Sequence, residues 1–118
     1  MAALSNLVNI TARLADISAA STAYVASPVT GKLYSASSCL QGGITGSDCT
    51  WSMTINGVAV ANSTVTVTAS GSAAGDVDSI DFGQFDPPLV NKGDTLGFVS
   101  AGESSTTAAA QFSAVVRV

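Results

Sequence analysis

Apolar side chains in this chain recur at every second position, a spacing that belongs to strands and not to helices. Cys49, Trp51, Met53 and Ile55 alternate with Thr50, Ser52 and Thr54, and Asn56-Gly57 follows directly. Asn-Gly is the strongest short hairpin signal, because a type I′ turn needs positive φ at both central residues. Residues 58–61 are therefore expected to pair back on 49–55. The same two-residue period runs through 7–14, where Val8, Ile10, Ala12 and Leu14 share a face. It recurs at the C-terminus, where Ala110, Phe112, Ala114, Val116 and Val118 do the same.

Further strands are expected over 17–26, 32–40, 64–68 and 95–100. Pro28 to Gly31, Gln41-Gly42-Gly43, Gly46-Ser47-Asp48, Asn62-Ser63 and Asn91-Lys92-Gly93-Asp94 supply the turns between them. From 69 to 94 the period weakens, leaving a long excursion with a short strand near 80–85. About eight strands and no amphipathic helix give an all-β, antiparallel β-sandwich. Trp51 follows both cysteines, unlike the Cys…Trp…Cys order of antibody-type domains, which favours jelly-roll-like wiring. The expected organisation is a flexible N-terminal arm over 1–6 and a single β-sandwich domain over 7–118.

The 118 residues suit one domain. Hydrophobic residues make up 47% and aromatics only 6%, so the core is built largely from small side chains. Charged residues make up 10%, well below the roughly one quarter of an ordinary soluble domain. A surface so poor in charge is expected to be partly covered in the working state, by self-association or by docking onto a larger assembly.

The chain contains no histidine, the side chain best suited to proton transfer near neutral pH. An enzyme is therefore not expected, and no cofactor is implied. The net charge is −4, and the four cations Arg13, Lys32, Lys92 and Arg117 are dispersed in sequence. No basic stripe suited to phosphates follows, so nucleic acid is not an expected partner. No apolar run approaches the roughly 20 residues of a membrane span. The first residues lack the basic and apolar regions of a signal peptide, so synthesis in the cytoplasm without export is expected.

Four groups are candidates for chemistry or contact. Cys39 and Cys49 flank a glycine-rich loop; a disulfide is one candidate, and two reduced thiols are the default for a protein made in the cytoplasm. Asp76, Asp78 and Asp81, with Asp86 and Asp94 beyond, are the one acidic concentration; their spacing does not match an EF-hand, and a solvated loop is the plainer expectation. Trp51, Tyr24 and Tyr34 can be read as a sugar-stacking platform, although the alternation around Trp51 places that ring in the core. Leu4, Leu7, Ala108, Ala109 and Ala110 are the candidate interface residues, from the arm and the Ala-rich entry to the last strand.

The order Asp16-Ile17-Ser18, Tyr24-Val25, Pro28, Gly31 and Gln41-Gly42-Gly43-Ile44-Thr45 resembles that of small virion proteins of tailed phages. So does the continuation Ile55-Asn56-Gly57-Val58, Ser72-Ala73-Ala74-Gly75-Asp76-Val77, Lys92-Gly93-Asp94 and Gly102-Glu103-Ser104-Ser105-Thr106. The likeness, to capsid decoration or cement proteins, runs through most of the chain and is carried mainly by turn residues. It implies a jelly-roll-like structural protein on the outer surface of a bacteriophage capsid, stabilising the head. The implied partners are the major capsid protein and further copies of the chain, a trimer before a dimer. The alternative expectation is a carbohydrate-binding or host-adhesion β-sandwich module.

Overall fold

A computed structural model describes residues 6–82, 87–102 and 105–118. Ten strands form two antiparallel sheets packed face to face: β1 Leu7–Leu14, β2 Ser21–Ala26, β3 Gly31–Leu40, β4 Cys49–Ile55, β5 Val58–Ala59, β6 Val65–Val67, β7 Val77–Asp81, β8 Leu89–Val90, β9 Thr95–Ser100 and β10 Ala110–Arg117. One sheet has the order β1-β10-β3-β7, with β8 also on β3. The other has the order β2-β9-β4-β5, with β6 also on β4.

The wiring is nested. β1 pairs with β10, β2 with β9, β3 with β7 and β8, and β4 with β5 and β6. The chain thus forms one long antiparallel ribbon, which wraps so that β10 meets β3 and β9 meets β4. This is the jelly-roll arrangement: eight principal strands, with the two-residue β5 and β8 added at the edges. Among the described residues no helix is long and apolar enough to cross a membrane.

Alternation places one face of each strand inward. Ile10 and Leu14 from β1, Phe112, Ala114 and Val116 from β10, and Leu33, Ala36 and Leu40 from β3 are buried. They meet Trp51 and Met53 from β4 and Leu96 and Phe98 from β9. Phe98 and Phe112 stack with centroids 5.0 Å apart, and Trp51 stands edge-on to Phe112 at 5.1 Å. Burial of the indole leaves its N–H in need of an acceptor. Ser38, inward on the facing sheet, supplies it, with Trp51 Nε1 donating to Ser38 Oγ at 3.0 Å.

Two expectations are corrected by local backbone bonding. The second strand begins at Ser21 and not at residue 17. Asp16 Oδ1 accepts from Ser18 N at 2.9 Å and from Ser18 Oγ at 2.5 Å, and this side-chain turn bends the chain before any ladder forms. Ile17 is still buried, held by its N–H bond to the Ala108 carbonyl at 2.8 Å. In β3 the expected uniform alternation fails at Tyr34. Val115 faces Ser35 while Val116 faces Leu33, so Tyr34 is an extra residue, a β-bulge. The bulge shifts the phase of the strand: Ala36, Ser38 and Leu40 point inward on one side of it, Leu33 on the other, and Lys32 is turned outward.

The bulge also marks a change of partner. Phe82 N donates to the Tyr34 carbonyl at 2.7 Å, where β7 leaves β3, and Leu33 N donates to the Pro88 carbonyl at 2.9 Å, where β8 arrives. The strand expected near 80–85 is therefore earlier, at Val77–Asp81, and residues 83–86 lie outside the described residues. Gly31 is required at the start of β3, because a Cβ there would run into the carbonyl oxygen of Arg117 and the Val116 side chain.

Candidate functional site

One edge of each sheet comes to the same corner of the sandwich. There the β4–β5 hairpin, turned by Asn56 (φ 52°) and Gly57 (φ 83°), stands beside β8 of the other sheet. Asn56 locks this turn to the opposite connection: its Nδ2 donates to Asp94 Oδ1 at 3.0 Å, and its Oδ1 accepts from Thr95 N at 2.9 Å. Asp94 Oδ2 in turn accepts from Asn91 N at 2.9 Å. These bonds, the Asn56 amide first, hold the Asp94 carboxyl below its ordinary pKa.

Between hairpin and β8 runs a groove of about 340 Å³ lined by Ile55, Val58, Val60, Pro88 and Leu89, with Ala59 and Ala61. Val58 is 71% exposed and Leu89 58% exposed. Among the described residues the lining includes no acid, base or nucleophile, and what it offers is apolar contact. Among the described residues β5 ends the sheet order, the place where a sheet can accept a further strand.

Leu89 joins this groove to a second feature. It pairs with Lys32, Lys32 pairs with Arg117, and Arg117 pairs with Leu7, so the four side chains form one row across the outer face. Half of the chain's four cations thus stand directly opposite each other, with leucines on both flanks. Both cations are exposed, and neither is paired with a carboxylate among the described residues. Like charges in this register are destabilising. The signal for the pair was the broken alternation of Leu33, Tyr34 and Ser35, which is legible as a bulge only once the strand partners are known.

The residues singled out from the sequence are dispersed. Cys39 lies on the outward side of β3, paired in register with Gln111 and exposed Val77, whereas Cys49 is buried in the facing sheet. Both thiols are free. Cys49 Sγ points to the carbonyls of Gly102 and Ile17, at 3.2 and 3.6 Å. The candidate disulfide is thus not supported, because the alternation of two different sheets directs the two sulfurs apart.

The aromatic platform is not assembled either, since Trp51 is in the core. Tyr34 is half-buried on one sheet, and Tyr24 is 67% exposed on the other. Of the candidate interface residues, Leu7 is 45% exposed, while Ala108 and Ala110 are buried and Ala109 is half-buried; the period places these alanines against the core. Leu4 and the rest of the arm over 1–5 lie outside the described residues. Asn6 belongs with the domain, its carbonyl accepting from Val118 N at 2.8 Å.

The acidic residues serve turns and an edge strand. Asp76 Oδ2 accepts from Ala73 N at 2.9 Å, and partial burial followed by the charge of Asp76 raises the pKa of Asp78. Asp86 lies outside the described residues. No group of three or more potential metal ligands occurs among the described residues.

No protein-family model matches the chain, and no curated protein matches it in sequence. Among solved structures, the fold is similar to part of the catalytic unit of the thermostable GH87 α-1,3-glucanase from Streptomyces thermodiastaticus strain HF3-3. The TM-score is 0.53 at 14% identity, over 96% of this chain and 26% of that one. The chain therefore spans about a quarter of that catalytic unit, and the likeness is one of fold.

Proposed function

We propose that the protein is a structural virion component that docks on the outer surface of a bacteriophage capsid and stabilises the head. The observation that carries this reading is the apolar corner: Val58 and Leu89 stand open to solvent over a groove whose lining, among the described residues, is apolar. Apolar surface of this kind is favourable to cover and costly to leave in water. The low charge content and the sequence resemblance to decoration proteins support the same role, and a jelly roll is the fold that resemblance implies. Further copies of the chain and the major capsid protein are the proposed partners. Electron microscopy of native particles tests the reading. Density of this jelly roll at regular positions on the shell is expected, and shells without it would overturn the proposal.

A second reading, a carbohydrate-binding or adhesion module, is favoured by Tyr24. Its exposed ring lies beside Gly97, where an added Cβ would approach Tyr24 Cε1 to 3.6 Å and press on Thr22 and Thr54. A ring over a glycine with hydroxyls alongside is a small stacking surface. Titration with α-1,3-linked gluco-oligosaccharides separates the two: movement of the Tyr24 ring resonances would favour the glycan reading, and silence there would remove it.

A further inference from the structure

We propose that the corner formed by β5, β8 and the Lys32–Arg117 pair is a docking site for an extended protein segment carrying an aliphatic side chain two residues from a carboxylate. Three features converge there. The groove between Val58 and Leu89 suits one aliphatic side chain of a partner. Leu89 belongs to both the groove and the cation row, lining the one and flanking the other. The cations supply the charge complement. Lys32 is the register partner of Leu89, about 5 Å away between Cα atoms, and Arg117 is one strand further.

On an extended chain, residues two apart point to the same side and lie about 6.7 Å apart. A segment that runs from the groove across the strands, along the row of Leu89, Lys32 and Arg117, therefore carries the second residue beyond the aliphatic one to the cation pair. A carboxylate there relieves the repulsion between the two cations and can accept from both. Among the described residues, Asp94 is engaged by Asn56 and Asn91, and Asp76 by Ala73.

The inference is independent of capsid docking, because its test uses no capsid. The isotope-labelled full chain is titrated, with amide shifts followed by NMR, against a blocked peptide of sequence Thr-Val-Thr-Glu-Thr and against the same peptide with Gln for Glu. The expected result is movement of Val58, Val60, Leu89 and Lys32 at peptide concentrations up to roughly 10 mM, a weak but measurable range. The acidic peptide is expected to bind roughly twofold to fivefold more tightly than its amide counterpart, a preference that fades as salt rises to about 0.5 M. In K32Q/R117Q the preference is expected to vanish while the Val58 shifts remain. Both replaced residues are exposed, so the variant is expected to fold, and its melting midpoint is expected to rise as the repulsion is removed.

Four outcomes would overturn the inference. These are no shifts at the corner, equal binding of the two peptides, or a preference that survives in K32Q/R117Q. The fourth is shifts that arise from dilution of the chain alone or from phosphatidylglycerol vesicles but not from the acidic peptide.

Discussion

Asn56 and Asp94, 38 positions apart in sequence, are joined side chain to side chain at 3.0 Å, tying the β4–β5 turn to the turn that enters β9. The bond holds Asp94 below its ordinary pKa, and the sign of the pH effect follows. A carboxyl whose folded pKa is depressed adds stability above the unfolded value of about 3.9, and that stability is lost as pH falls through the folded value. Melting midpoints of the native chain and of D94N are expected to differ at neutral pH and to draw together as pH falls below the ordinary carboxylate range. Parallel curves down to acid pH would contradict the role given to this carboxylate.

Ser38 is the acceptor for the buried Trp51 N–H. In S38A the indole donor has no partner, at a cost of about 1–3 kcal/mol. Urea unfolding followed by Trp51 fluorescence is expected to show a lower midpoint with an unchanged slope. The native emission is expected to be blue-shifted and insensitive to glucans, because the ring packs on Phe112 and Phe98 and does not face solvent.

Gly31 lets β3 approach β10 where a Cβ would meet the Arg117 carbonyl. G31A forces backbone to move at the cationic end of the sheet, and overpacking of this kind costs about 1–3 kcal/mol. Chemical denaturation measures it. A neutral effect would show that this end of the sheet yields easily.

Cys39 and Cys49 differ in access and share no bond. Iodoacetamide is expected to modify Cys39 in the native protein and Cys49 only after unfolding. Intact mass under non-reducing conditions is expected to show two thiols; a mass lower by two hydrogens would contradict the arrangement of the two sheets.

Strong alternation was readable with little loss. The expected bounds of β1, β4 and β9 coincide with the structure, because each of these strands packs apolar side chains against the core. The Asn56-Gly57 turn appears where its dipeptide places it. What the pattern could not reveal depends on partners distant in sequence. The Tyr34 bulge lies where β7 and β8 divide β3 between them, and no local feature of Lys32 to Ser35 announces that division. β8 is two residues long, too short for a period to register. The groove, and the opposition of Lys32 to Arg117, are products of that same pairing and were hidden for the same reason. The Ala108 and Ala110 side chains, expected at an interface, continue the inward face of β10.

Docking of the apolar corner on a capsid is open to quantitative co-sedimentation. Capsids assembled from the proposed partner, a major capsid protein, are mixed with the native protein and with V58S/L89S. Saturable co-sedimentation of the native chain is predicted, weakened about tenfold or more in the variant as two aliphatic contacts are lost. A native chain that stays in the supernatant at every concentration, or a variant that binds as well as the native chain, would contradict it.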